Sequence, residues 1–359
     1  MVLSTHIAHV VARCRTFYAA REPGHILINA QVPADAPPIP PLYEFDLDRQ
    51  LVEWLDANLE AARPTWRARA GLDDDALPSI CPRFGIAEHT AWLGTDVRLQ
   101  ETTCLPVPLL TSPDDLDRLQ LSPETRWYRY MRDGYAHLRG RQDGTFFLSV
   151  RGTMSPMDIG NAVRGDELFS DFIANPDFAH RLMAFLVSAM RWYYDQLLTW
   201  ADEIAGGNVF MYHSSWMGAR TIGHMTNDAA MLCSPRTYDT YGFPYESQLT
   251  ESYAGALYHV HNQKLHFAPK VVQLPNLKLL EVTNDPKTPP ALEDLPRVLA
   301  ATGSATGGAN LMLYGTSDQV RVHIDDLTGR NILLSVTCQD RAEADDIVAF
   351  VRAHSKLLG

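Results

Sequence analysis

The chain has 359 residues, 46% hydrophobic and 21% charged, with a formal net charge of −12. That length and apolar content suit one large folded domain or two ordinary ones and exclude a disordered polymer. The acidic balance argues against nucleic acid and anionic membrane as partners, yet leaves room for a small anionic substrate in a local pocket.

The first residues, MVLSTHIAHVVARCRTFYAAREPG, are too interrupted by polar side chains for a secretory signal. No stretch approaches the roughly 18 uncharged apolar residues of a membrane span. Five widely spaced cysteines, Cys14, Cys81, Cys104, Cys233 and Cys338, fit a reducing compartment, so the expectation is a cytoplasmic protein. Short apolar runs at 25–30, 79–84, 146–152, 207–213, 256–261, 277–283, 309–315 and 331–337 read as buried parallel strands. Helical patterns lie between most of them. The longest, 170–202, is punctuated by Asn175-Pro176; another, 235–256, opens on Ser234 as N-cap with Pro235 in the first turn. Residues 290–304 and 340–356 complete the series. Eight strands with intervening helices predict an α/β fold, a (β/α)8 TIM barrel forming a single domain over 1–359. About 1–75, including the proline-rich VPADAPPIPP, is expected to be partly an N-terminal helical or loop embellishment. The run Asp73-Asp74-Asp75 reads as a solvated face, and the Trp192, Tyr193, Tyr194, Trp200 stripe as core.

In a barrel, chemistry belongs at the C-terminal strand ends. His259 and His261 lie two apart in GALYHVHNQK, so a strand would aim both imidazoles the same way. With Cys338, which ends NILLSVTC, they form a three-ligand set suited to zinc. The alternative is that the histidines bond rim carbonyls while Cys338 is a small core hydrophobe. Glu281 and Asp285 are candidates for general base, further ligand or histidine-orienting partner; a turn-rich loop, TNDPKTPP, is the rival reading around Asp285. Asp228 is a candidate for substrate contact, and Arg151 for holding a carboxylate. His213, Asn227 and Asn284 fall at the same strand ends as candidate cofactor-binding side chains. His213 and His323 also compete as metal ligands.

Three stretches, RGTMSPMDIGNAVRGDELFSDFIANPDFAHRLMAFL (151–186), TNDAAMLCSPRTYDTYGFPY (226–245) and YHVHNQ (258–263), resemble the uroporphyrinogen decarboxylase superfamily. The resemblance implies a (β/α)8 barrel. It also implies two chemistries: cofactor-free decarboxylation, as in porphyrin biosynthesis, and zinc-dependent methyl transfer between corrinoid proteins and thiols. The arginine- and glycine-rich N-terminal loop of the decarboxylases has no counterpart in GHILINAQVPADAPPIPP. The segment DALPSICPRFGIAEHTAWLG (75–94) looks more like the methyltransferase branch, whose ligands resemble His259, residue 261 and Cys338, with histidine here in place of a cysteine at 261. The expected function is therefore a Zn2+-dependent methyltransferase acting on a small-molecule substrate, with a corrinoid presented by a partner protein and a homodimer as the candidate assembly. One alternative is decarboxylation of a tetrapyrrole or smaller acid, with Arg151 or Arg220 on the carboxylate. A further alternative is a non-catalytic small-molecule or corrinoid-associated binding protein.

Overall fold

Each apolar run becomes a strand, but the strands do not share one ladder. The computed structural model describes residues 5–101, 103–303 and 309–357. The chain opens with α1 (Thr5–Ala19), β1 (Ile26–Gln31), α2 (Leu47–Ala68) and β2 (Ser79–Ile80). Next come α3 (Arg126–Gly140), β3 (Phe147–Leu148), α4 (Pro156–Arg164) and α5 (Pro176–Trp200). Then follow β4 (Gly207–Phe210), β5 (Ser215–Gly218), β6 (Thr221–Thr226), α6 (Phe243–Glu251), β7 (Gly255–His261) and β8 (Leu277–Thr283). The chain closes with β9 (Asn310–Thr316), α7 (Ser317–Leu327), β10 (Ile332–Thr337) and α8 (Arg341–His354). Six strands form one parallel sheet in the order β1-β10-β9-β8-β7-β6. Helices in the connections cover it, as parallel crossovers require. Among the described residues no helix is long and apolar enough to cross a membrane.

Of the eight-strand barrel expected from the sequence, the α/β architecture is present with a six-stranded parallel sheet, and among the described residues that sheet does not close. The 207–213 run does not join the sheet: β4 pairs antiparallel with β5. The neighbour of β7 is instead β6, TIGHMT, whose glycine and histidine hide it from an apolar-run criterion. β2 and β3 pair parallel over two residues each. Single bridges, Val150 with Phe210 and Ala76 with Ser215, link these short pieces.

Helix boundaries follow local chemistry. The 170–202 pattern divides at Asn175, with Pro176 opening α5 where its missing N–H costs nothing. The Ser234 hydroxyl accepts from the Thr237 amide, and Asp340 accepts from the Glu343 amide at the start of α8. The aromatic stripe of α5 is largely core: Tyr193 stacks on Trp92 with ring centroids 4.4 Å apart.

The Asp73–Asp75 run is a correction. Asp74 and Asp75 are buried, because the outer edge of β1 needs acceptors and donors that no strand supplies. The Asp75 carboxylate accepts from the Ile28 amide at 2.8 Å while its own amide donates to the Ile28 carbonyl. Asp74 accepts from the Ala30 amide at 3.0 Å, and the Ser355 hydroxyl takes both polar groups of Ile26. Arg13 Nε and Arg352 Nη2 pair with Asp75 at 2.6 and 2.9 Å, and Arg69 pairs with Asp74. Only Asp73 is exposed, and Arg13 reaches it too.

Candidate metal centre

Parallel register places the site. His259 lies opposite Glu281 on β8 and Thr226 on β6, so these side chains share a face of the sheet at its C-terminal edge. His261 lies opposite Thr283, one pleat nearer the mouth. The ladder between β6 and β7 slips between Ile222 and Met225, where the Tyr194 hydroxyl donates to the Gly223 carbonyl at 2.9 Å and accepts its amide at 3.0 Å. Such an irregularity re-aims the side chain that follows, here His224. His213 comes from the turn between β4 and β5, whose carbonyl at 213 accepts from Asn29 Nδ2 and the Ser215 hydroxyl.

Three imidazoles converge on one carboxylate. His224 Nε2 hydrogen-bonds Glu281 Oε2; His259 Nδ1 lies 3.2 Å and His213 Nε2 3.6 Å from the same oxygen. The Tyr314 hydroxyl donates to the other oxygen, Oε1. His213, His224 and Glu281 are all buried, and among the described residues their donor atoms form a group with metal-ligand spacing, within 4.8 Å of one another. Both ring nitrogens of His213, and Nδ1 of His259, have no hydrogen-bond partner though buried. Uncompensated buried polar atoms are costly, and these nitrogens fit a metal ion because nothing in the protein uses them. Burial drives the His213 imidazole down to about 4, against the pull of Glu281, and lowers His224 likewise. Burial works to raise the Glu281 carboxyl, but His224, His213 and His259 outweigh it and hold it well below the usual range. Near neutral pH His213, His224 and Glu281 therefore combine two neutral imidazoles with an anion, the protonation state a divalent cation needs.

His259 and His261 stand together as the two-residue spacing requires, with Nε2 atoms 3.3 Å apart. His261 is held differently. Its Nδ1 lies 2.5 Å from Asp285 Oδ1 and its Nε2 3.3 Å from Asp228 Oδ1. The hydrogen bond to Asp228 raises the imidazole to about 9, with burial opposing and Asp285 assisting. Burial works to raise Asp228 in turn, and its hydrogen bond to His261 holds it below the ordinary carboxylate value. His261 is thus an imidazolium held between two carboxylates at the mouth beside the three inner imidazoles.

Cys338 does not join the group. The alternation along β10 explains why: Ser335 pairs with Tyr314, whose side chain reaches Glu281, so residues of even number on β10 face the helices. The Cys338 thiol accordingly meets the Val336 carbonyl and lies beside Ser317 and Glu343, under α7 and α8. Arg151, a candidate for holding substrate, is buried and committed. It pairs with Glu88 and donates to the Tyr212 hydroxyl at 2.6 Å and the Gly85 carbonyl at 3.0 Å. Arg220 is exposed and paired with Asp195 before β6 begins. Asn227 donates to Glu246 at 2.6 Å and caps the Ala230 amide; Asn284 bonds the Ala291 amide and the Tyr314 carbonyl. Both asparagines thus shape loops. His323 sits on α7 near Asp326, away from the cluster.

Sequence reasoning missed His224, Tyr314 and Tyr212. The Tyr212 ring stacks on His224 at 4.4 Å between centroids, and the pair packs on Gly152. A Cβ on Gly152 would come within 2.8 Å of the Tyr212 ring and 2.9 Å of the His224 amide nitrogen, so only glycine fits. The detectable signal was Gly-His-Met-Thr immediately before the Asn227-Asp228 loop. Compared with known proteins, the chain matches no family model and none of the curated proteins.

Proposed function

We propose that the chain is a metal-dependent enzyme that activates a bound nucleophile, with zinc as the metal and methyl transfer to a thiol as the reaction. The observation that carries this reading is the buried set His213, His224 and Glu281, with half-buried His259 beside it and unpartnered imidazole nitrogens close to one carboxylate. His213, His224 and Glu281 would hold the ion, two borderline nitrogens and one oxygen that suit zinc and leave its fourth position open beside His259. A zinc ion held there supplies Lewis acidity and lowers the pKa of a nucleophile at its open position. The chain's own residues do the rest. Tyr314 fixes Glu281 through its hydroxyl, and Tyr212 with Gly152 fixes the plane of His224. His261, braced by Asp285, stays the imidazolium that orients Asp228, and the Asp228 carboxylate takes the proton displaced from the nucleophile.

The resemblance of three stretches to the uroporphyrinogen decarboxylase superfamily supports the choice of methyl transfer, as does the position of the cluster at the C-terminal edge of the parallel sheet. In that reaction a carbon–sulfur bond forms as the carbon–cobalt bond of a corrinoid breaks, the bonding electrons staying on cobalt. The donor would be carried by a partner protein. The decarboxylase alternative is the weaker one, since Arg151 and Arg220, which it would use for the carboxylate, are both paired elsewhere.

The test is elemental analysis of protein purified without a histidine tag, followed by thiol-dependent demethylation of methylcobalamin read from its visible absorption. Near-stoichiometric zinc is expected in the wild type and in Cys338→Ala, and its loss in His224→Ala together with the demethylation. Protein that takes up no zinc at neutral pH, or demethylation indifferent to zinc, overturns the proposal.

A further inference from the structure

Beside the metal centre lies a separate cavity of about 220 Å³ between α2 and the loop after β2. Its walls include Trp54, Phe84, Arg83, Asn58, Ile39 and Glu101. Trp54 and Phe84 stack at 5.1 Å between ring centroids, giving a flat apolar wall. The Trp54 indole N–H is buried and has no acceptor. Arg83 is exposed, and among the described residues no carboxylate lies within ion-pair distance of it. Its guanidinium instead lies 5.9 Å from the centre of the Tyr212 ring, whose far neighbour is His224. Arg151 locks this arrangement from below by binding both Tyr212 and Gly85. One tyrosine ring thus separates an unpaired cation from the imidazole cluster.

We propose that this cavity receives the carboxylate-bearing end of the substrate, with Arg83 as the anchor that sets specificity. The inference rests on reading the neighbouring centre as the place of reaction. A small acid with a flat apolar body fits on three counts. The guanidinium fork matches a carboxylate in two parallel hydrogen bonds. The indole N–H supplies a donor that nothing in the protein uses. The stacked Trp54–Phe84 wall takes the apolar part. Glu101, at the rim, disfavours a second negative charge. The chain's acidic balance is no obstacle, because the local field at Arg83 opposes the net sign.

Benzoate serves as probe and benzyl alcohol as its uncharged counterpart, titrated calorimetrically into the full chain, zinc-loaded and chelator-treated. Saturable benzoate binding is expected in both metal states, weakened about tenfold or more in Arg83→Gln, less so in Arg83→Lys, and strengthened in Glu101→Gln. Benzyl alcohol should show no saturable binding. Equal benzoate affinity in wild type and Arg83→Gln, or no saturable binding to the wild type, overturns the anchor. Benzoate binding that persists in protein that takes up no zinc supports the anchor and sinks only the metal centre.

Discussion

Two buried carboxylate clusters in this molecule differ in their partners. Asp74 and Asp75 are met by the guanidiniums of Arg13, Arg69 and Arg352 and by strand amides. Glu281 is met by three imidazoles and a tyrosine hydroxyl, and among the described residues no lysine or arginine pairs with it. The first cluster is electrically closed, since every carboxylate faces a permanent cation. The second retains a negative charge and free imidazole lone pairs, so a divalent cation would complete it. Burial and acidity alone do not separate a structural cluster from a reactive one; the permanence of the opposing charge does.

The largest expected effect breaks the closed cluster. Asp75→Ala leaves Arg13 and Arg352 without their shared partner and the Ile28 amide without an acceptor. It should cost about 3–5 kcal/mol of unfolding free energy, read from urea denaturation. The open cluster should behave differently. Glu281→Gln keeps the side chain's shape but loses the anion that the imidazoles hold ionised, so it should cost metal-free protein about 1–3 kcal/mol, less than Asp75→Ala. Zinc at a hundredfold excess over its dissociation constant should stabilise the wild type by about 2.7 kcal/mol and leave Glu281→Gln unmoved. If chelation lowers both melting temperatures equally, the contrast between the clusters fails.

A third carboxyl sharpens the comparison at smaller scale. Glu246 is buried, pairs with no cation among the described residues, and accepts from Asn227, Tyr238 and Tyr258 at 2.6, 2.6 and 2.9 Å. Burial pushes it up to about 7, with the hydrogen bonds of Tyr238, Tyr258 and Asn227 opposing. The unfolded chain releases this proton near pH 4.3, before the native state does. This group's contribution to stability is therefore complete at acid pH and declines as pH rises through about 7. Glu246→Gln should gain on the wild type by on the order of 2 kcal/mol between pH 5 and pH 8. Parallel urea curves at the two pH values would refute it.

Reading the sequence located β1, β7, β8, β9 and β10 because each is a continuous apolar run, and period-two spacing placed His259 beside His261. It failed at β6, where Gly223 and His224 interrupt the run and the strand is held by sheet partners and Tyr194. The Cys338 expectation failed on parity: a residue one step beyond Thr337 must face the helices once Ser335 faces the sheet's other side. Asp74 and Asp75 looked solvated because their partners, Ile28 and Ala30, lie more than forty residues upstream, a separation that local pattern does not encode.

The sealed outer edge of β1 bears on how the molecule meets copies of itself. An exposed parallel strand is a template for recruiting another chain, in ordered assembly or in aggregates. Here Ser355, Asp75 and Asp74 already occupy the polar groups of Ile26 and Ile28 and the amide of Ala30. Along that edge a second chain finds those five backbone groups already taken, so any lasting contact there would rest mainly on side chains.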